Sequence, residues 1–187
     1  MGIPTLIKTL PASDSASLEF VDGTDDVVLD STYDEYMFVF TDIAPATDNV
    51  DFMFQVNSTN DAGGDYDVSL ITSTAFYAQL DESHGNAFLG YSTGLDLAQS
   101  ASFQQLTDNT GNGADESSAG ILHLFSPAST TYVKHFYSRF NGYHNGDYTM
   151  VWHIAGYIND ASYAIDEIQF KMSSGNFDGV IQLYGIA

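Results

Sequence analysis

The sequence predicts an all-β fold, a single antiparallel β-sandwich or barrel of about ten strands. Short runs rich in Val, Ile, Phe, Tyr and Thr recur along the chain and are separated by clusters of Gly, Asp, Asn, Ser and Pro. This spacing is typical of antiparallel sandwiches. The length of 187 residues and the hydrophobic fraction of 44% suffice for one self-supporting core. No linker composition divides the chain, so we predict one domain over residues 1–187.

Alternation of apolar and polar residues locates the strands and their buried faces. In the run 51–57, Phe52, Phe54 and Val56 share one face, as expected for a half-buried strand. The run 36–40 does not alternate, and we predict that it lies centrally, covered on both faces or against a neighbouring subunit. The predicted strands are 5–10, 16–21, 35–43, 51–57, 68–79, 87–91, 120–126, 131–140, 148–158, 164–172 and 179–186.

The connections have the composition of turns and surface loops. Asn141-Gly142 and Asn145-Gly146 are two of several pairs that tolerate positive φ, and we expect turns there. The segment 95–118 is polar and rich in small residues, which predicts a long surface connection. Within it, 96–105 is the one segment for which we predict a short helix.

The charge balance limits the classes of partner. The chain has 4 basic against 25 acidic residues, a formal net charge of −21, and 14 of the acids precede residue 68. Nucleic acid is excluded as a partner, because neutralising phosphates requires clustered Lys or Arg. Anionic membrane surfaces are disfavoured for the same reason. The acidic first third favours solubility and attracts cations or basic surfaces.

The absence of cysteine excludes disulfides, thiolate metal sites and cysteine nucleophiles. The first ten residues lack the basic region and the apolar run of a secretion signal, and no segment approaches the roughly 18 apolar residues of a membrane span. We therefore expect a soluble protein made in the cytoplasm.

Catalytic patterns are weak, so we predict no enzyme activity and no cofactor. The five histidines, His84, His123, His135, His144 and His153, form no His-x-His or HExxH pair, and the chain has no GxSxG elbow. Adjacent carboxylates such as Asp34 and Glu35 point to opposite faces of a strand, which excludes them as a glycosidase pair.

Loop carboxylates are the residues on which a calcium site would depend, because hard cations prefer clustered oxygen ligands. None of the clusters matches an EF-hand or a GGxGxD repeat, so we interpret them as solvated turn residues. The clusters are Asp22, Asp25 and Asp26; Asp61, Asp65 and Asp67; and Asp115 with Glu116.

An aromatic and basic region is the strongest candidate for an interface. It holds two of the four basic residues, and Tyr and Arg are over-represented at interface hot spots. Binding of a sugar or a protein competes here with ordinary strand packing with tyrosine hydroxyls at the rim. If subunits associate, this region complements the acidic first third. The candidate interface residues are Tyr132, Lys134, Phe136, Tyr137, Arg139, Tyr143 and Tyr148.

Several motifs resemble a family of tailed-bacteriophage virion proteins. The family pattern is S-x-S-A-S-L-x-F, D-S-T-Y-x-x-Y, P-A-T, F-x-P-x-S-T-x-Y and a closing S-G-x with L-Y-G-[LI]. Its counterparts are ASDSASLEF (12–20), LDSTYDEYMFVF (29–40), IAPAT (43–47), FSPASTTY (125–132) and SSGNFDGVIQLYGI (173–186). The motifs occur in the expected order and extend over nearly the whole chain.

The resemblance implies a jelly-roll-like β-sandwich on the surface of a phage particle, with no catalytic residues. Because the sequence has no coiled-coil shaft or collagen-like repeat, we expect a capsid decoration or cement protein rather than a fibre. Its expected partners are the major capsid protein and itself, as a homotrimer. The alternative within this class is a tail fibre or adhesin tip that binds a host glycan. The alternative from another class is a calcium-dependent lectin or carbohydrate-active enzyme.

Overall fold

A computed structural model describes residues 2–59 and 64–187 and confirms the all-β prediction. The described residues form twelve strands and no helix. None of them therefore belongs to a helix that could cross a bilayer. The strands are β1 (Thr5–Ser15), β2 (Ser17–Val21), β3 (Glu35–Pro45), β4 (Phe52–Ser58), β5 (Ile71–Asp81), β6 (Ala87–Tyr91), β7 (Gln104–Gln105), β8 (Ser118–Phe125), β9 (Lys134–His144), β10 (Tyr148–Ile158), β11 (Ile165–Met172) and β12 (Phe177–Ile186). Every predicted strand overlaps an observed one, and the additional strand, β7, has two residues.

The strands form two antiparallel sheets that face each other. The large sheet has the order β1-β12-β3-β8-β9-β10-β5-β6, and the small sheet has the order β2-β11-β4-β7. The chain crosses between the sheets eight times, after β1, β2, β3, β4, β6, β7, β10 and β11. These crossings bring the chain ends together in the large sheet, where β12 pairs with β1 on one side and β3 on the other. The closing segment is therefore held by hydrogen bonds along both edges.

Phenylalanine rings fill the space between the sheets. Phe170 of β11 packs against Phe38 and Phe40 of β3, with ring centroids 5.2 and 5.0 Å apart. On the small-sheet side, its ring neighbours are Phe52 and Phe54 of β4. Such tilted and edge-on aromatic pairs add to the free energy gained from burying apolar area. The core therefore couples the two sheets through one aromatic cluster.

The central position predicted for the run 36–40 is confirmed, because β3 lies between β12 and β8. Its burial does alternate: Tyr36, Phe38 and Phe40 are buried against the small sheet, whereas Met37 and Val39 are half-buried on the opposite side. Apolar residues therefore occupy both sides of this strand although the small sheet covers one.

The short helix predicted at 96–105 is wrong. The backbone of this segment bonds to distant strands instead of to itself. The amides of Ile71 and Ser100 each donate to the other's carbonyl, at 2.8 and 3.0 Å, and the Ser73 amide donates to the Leu97 carbonyl at 2.9 Å. Gln104 and Gln105 pair with β4 as β7. Tertiary hydrogen bonds have overridden the local helix propensity.

The turn predicted at Asn141-Gly142 is also wrong, because both residues lie inside β9. A side chain at Gly142 would place its Cβ 2.9 Å from the ring of Trp152, so glycine here makes room for the tryptophan. The hairpin turn follows at residues 145–147, where the Asp147 amide donates to the His144 carbonyl at 3.0 Å.

Candidate functional site

The seven candidate interface residues do not form one surface. Burial along β9 alternates, so Lys134 and Phe136 point into the core, whereas Tyr137 and Arg139 point outward. Tyr132 precedes the strand on an exposed loop. Tyr143 and Tyr148 lie at the far end of the β9–β10 hairpin, about 30 Å along the strand from its first residue, Lys134.

Lys134 is a buried structural residue. Its ammonium donates hydrogen bonds to the carbonyls of Asp160 and Tyr163, which fixes the loop between β10 and β11. Burial lowers the pKa of Lys134, and the nearby Asp160 charge opposes that shift. The Asp160 carboxylate in turn accepts a hydrogen bond from the Ser58 hydroxyl at 2.5 Å. This cation therefore supports the loop and does not contribute to a surface patch.

Tyr143 and Tyr148 stabilise the hairpin end. The Tyr143 hydroxyl donates to the Glu82 carboxylate at 2.9 Å, and this bond raises the pKa of Tyr143 to about 12. The Tyr148 ring packs edge-on against His144, with centroids 5.5 Å apart. Both tyrosines are therefore engaged within the chain.

Tyr137 and Arg139 belong to the outer face, which we define as the side chains of the large sheet that point away from the small sheet. Cross-strand pairing aligns these side chains in rows. One row is Val39, Ile121, Arg139, His153, Phe76 and Tyr91; the next is Met37, His123, Tyr137, Ala155 and Thr74. Arg139 is the one permanently charged residue of these two rows.

Stacked rings on the outer face include two histidines. His153 stacks on Phe76 with centroids 4.8 Å apart, and His123 stacks on Tyr137 at 4.4 Å. His123 also pairs with the Glu35 carboxylate at the rim of the face. Even so, Phe76 and Tyr137 keep 48% and 42% of their surface exposed to solvent. Two shallow hollows, of about 500 and 190 Å³, lie on either side of His153.

The edge strand β6 extends this apolar surface. Its sequence AFLGY has no charge and no proline, and Leu89 is 70% exposed. Natural proteins usually protect such an edge with Lys, Pro or a bulge, because its free backbone groups invite pairing with another chain. The outer face and β6 together therefore have the composition of an interaction surface.

A groove of about 750 Å³ lies at one end of the sandwich, and its lining residues Phe125 and His135 also point outward from the large sheet. We call it the end groove. The loop before β3 contributes Asp30, Tyr33 and Asp34, and the loop between β8 and β9 contributes Tyr132. Phe125, at the end of β8, lines the groove between these loops. The motifs DSTYDEY and FSPASTTY, which are distant in sequence, therefore meet in one place.

The closing motif supports the same groove. The ring of Tyr33 lies so close to the backbone of Gly185 that a Cβ at this position would collide with it. Tyr33 also packs edge-on against Tyr36, with centroids 5.8 Å apart. Glycine in the sequence LYGI therefore makes room for the Tyr33 ring.

The sequence marked Tyr132, Tyr137 and Arg139 as interface candidates, but it did not separate the two surfaces to which they belong. Tyr33, Asp30 and Asp34 appeared in a motif, but only the fold brings them beside Tyr132. His123, His153 and Phe76 lie on three different strands. The signal that was present is the alternation Lys134-x-Phe136 against Tyr137-x-Arg139, which separates inward from outward residues.

Two of the loop carboxylates considered for a calcium site are engaged in turns. Asp22 accepts a hydrogen bond from the Leu29 amide at 2.8 Å, and Glu116 accepts one from the Gly113 amide at 2.5 Å. Asp61 lies outside the described residues. Within 2–59 and 64–187, no group of three or more His, Asp or Glu side chains is arranged to hold a metal ion.

Comparison of the chain with protein-family models, curated proteins and solved structures found no match. The resemblance to phage virion proteins therefore rests on the motifs in the sequence, and the functions that it implies are proposals.

Proposed function

We propose that the protein is a structural protein of a tailed-phage particle, a capsid decoration or cement protein that binds the shell through its outer face. The observation that carries this proposal is the outer face itself, an apolar, aromatic surface with one arginine in a chain of net charge −21. The motif resemblance supplies the class of particle. The expected partners are the major capsid protein and further copies of this chain as a homotrimer.

The size of the outer face suits a specific interface. Six neighbouring strands of the large sheet, β3, β8, β9, β10, β5 and β6, span about 24 Å at normal strand spacing and run for about 30 Å. They offer on the order of 700 Å², close to the roughly 800 Å² that each partner contributes to a standard interface. At about 25 cal/mol per Å² of apolar area, this burial exceeds the cost of association only if the fit is good.

The distribution of charge suits the same role. The acids are concentrated in loops and in the first third of the chain, so they keep the exposed part of the protein soluble. Arg139 lies near the centre of the outer face, where a desolvated guanidinium recognises a carboxylate or backbone carbonyls of one partner. Apolar contact would supply the affinity, and Arg139 would supply orientation.

The test is to locate the protein in the particle by mass spectrometry of purified virions followed by cryo-electron microscopy. We expect density for the sandwich on the capsid exterior, near threefold positions, with the outer face against the shell. Density on the tail and none on the capsid would instead favour the adhesin alternative. Absence from the virion would overturn the proposal.

A further inference from the structure

We propose that the end groove, which adjoins the outer face at Phe125, is a binding site for a neutral saccharide. Tyr132 is 74% exposed although it lines the groove, and Tyr33 lines the same space. Exposed, groove-lining aromatic rings suit the apolar C–H faces of a pyranose, which bury area against them. The volume of about 750 Å³ falls within the range of small-ligand sites and accommodates one or two sugar rings.

Polar groups at the groove wall complement sugar hydroxyls. Asp30 and Asp34 are both exposed and line the groove. One oxygen of Asp30 accepts the Thr32 amide at 2.7 Å, and the hydrogen bonds from Thr32 lower the pKa of Asp30, so it remains an ionised acceptor. Within the described residues no hydrogen bond engages the Asp34 carboxylate. Two carboxylates beside aromatic rings therefore present strong acceptors to donor hydroxyls.

The sign of the charge selects the saccharide. Asp30, Asp34 and His135 line the groove. Among the described residues, no Lys or Arg lines the groove. A uronate or sialic acid would bring a third carboxylate into this space and be repelled. The structure therefore favours neutral hexoses and N-acetylated hexosamines over acidic sugars.

The loops that hold the groove are ordered by their own hydrogen bonds. The Ser129 hydroxyl accepts the amides of Thr131 and Tyr132, at 3.3 and 3.1 Å, which fixes the backbone that carries Tyr132. The Ser126 amide donates to the Asp34 carbonyl at 2.8 Å and joins the two loops. Ligand binding therefore requires little ordering of the backbone, which lowers its entropic cost.

The test uses the full chain and ligand-observed saturation-transfer NMR. The probes are glucose, galactose, mannose and N-acetylglucosamine, with glucuronate and N-acetylneuraminate as the acidic counterparts. We expect transfer to at least one neutral sugar with a Kd on the order of 1 mM, and none to the acidic sugars. An array of neutral polysaccharides separates polymer from free sugar, and stronger retention of a polymer would assign the site to extended chains.

Two variants and a matched control make the test specific. Tyr132→Ala should weaken binding by at least about tenfold, and Asp34→Asn should weaken it less while admitting glucuronate. Tyr163→Ala removes another exposed tyrosine, one that does not line the groove, and should leave binding unchanged. Circular dichroism checks that each variant is folded.

The proposal is overturned by the absence of transfer to every neutral sugar, by equal binding of acidic sugars, or by binding that survives Tyr132→Ala. Retention of a lysine-rich peptide without any saccharide signal would show that the carboxylates serve a cationic protein segment instead. Because these measurements use the isolated chain, they are independent of whether the protein lies on a virion.

Discussion

The two sheets differ in what covers their outer sides. The small sheet is covered by its own chain: Gln55 of β4 is fully buried, and its amide donates to the carbonyls of Ala101 and Ser102 at 3.0 and 3.1 Å. Phe103 packs there against Tyr66, and the Lys171 ammonium lies 4.2 Å from its ring centre. The outer face of the large sheet instead leaves Phe76 and Tyr137 about half exposed.

This difference indicates where the fold is self-sufficient. The segments around residues 64–70 and 95–110 contact β4: the Gln55 side chain donates to carbonyls of both segments, and the Leu106 amide donates to the Phe52 carbonyl. The described chain supplies no comparable cover for the aromatic rows of β8, β9, β10 and β5. Apolar residues exposed in rows, rather than scattered singly, mark a surface for interaction. Substitutions on the two sides should therefore affect different properties.

The largest effect is expected from Gln55→Ala on the covered side. The substitution leaves the carbonyls of Ser69, Ala101 and Ser102 without their donor in a buried site. We expect a loss of about 3 kcal/mol in the free energy of unfolding, measured by urea denaturation. The control is Gln182→Ala on the outer face, which should cost less than about 0.5 kcal/mol. Equal losses for the two would show that the sides do not differ.

Two phenylalanine substitutions, one on each side, should differ by a smaller margin in their loss of unfolding free energy. Phe103→Ala removes a ring that packs against Tyr66 and Lys171, and we expect a loss of about 1.5 kcal/mol. Phe76→Ala removes a half-exposed ring, and we expect about 0.5 kcal/mol. Thermal unfolding of both variants beside the wild type provides the measurement. A larger loss for Phe76→Ala would contradict the assignment of the covered side.

The smallest effect is expected from Asp108→Asn, which removes a carboxylate from the segment 95–110 that covers the small sheet. Burial, and then the charge of Asp51, raises the pKa of Asp108 above its usual 3.8. A raised carboxyl pKa contributes stability below 3.8, and that contribution is lost as the pH rises through the folded pKa. Asp108→Asn should therefore be more stable than the wild type at neutral pH, and this advantage should vanish below pH 3.8.

Comparing the stability of Asp108→Asn and the wild type at neutral pH avoids the titration of the neighbouring His144. Burial lowers the pKa of His144, so His144 is neutral there, and it becomes charged, at a cost in stability, only at lower pH. Urea denaturation at the two pH values is the measurement. A variant less stable than the wild type at neutral pH would show that the Asp108 carboxylate is favourably bound.

Local periodicity predicted most strands, and long-range contacts account for what it missed. Phe52, Phe54 and Val56 alternate because one side of β4 faces the core, and that pattern is visible in the sequence. The segment 96–105 carries no such pattern, since its partners, among them Ile71, are set by the tertiary fold. The alternation of side chains along a strand also predicts that Lys134 and Tyr137 point to opposite sides of β9. Grouping the residues of β9 as one aromatic and basic region ignored this alternation.

The end groove illustrates the limit more clearly. Its wall combines Tyr33, Phe125 and Tyr132 from segments about a hundred residues apart, so proximity along the chain gave no indication of it. The family motifs contained these residues, but a motif does not state which side chains share a cavity. Gly185, which makes room for Tyr33, belongs to the closing motif, but the motif does not indicate this contact.

The most direct test of the central claim is binding of the protein to particles prepared without it. The double variant Phe76→Asp, Tyr137→Asp places two charges on the outer face, and Tyr132→Asp places one outside it as the control. We predict that the double variant remains folded but does not bind the particle, whereas the control binds as the wild type does. Wild-type occupancy by the double variant would contradict the assignment of the outer face as the docking surface.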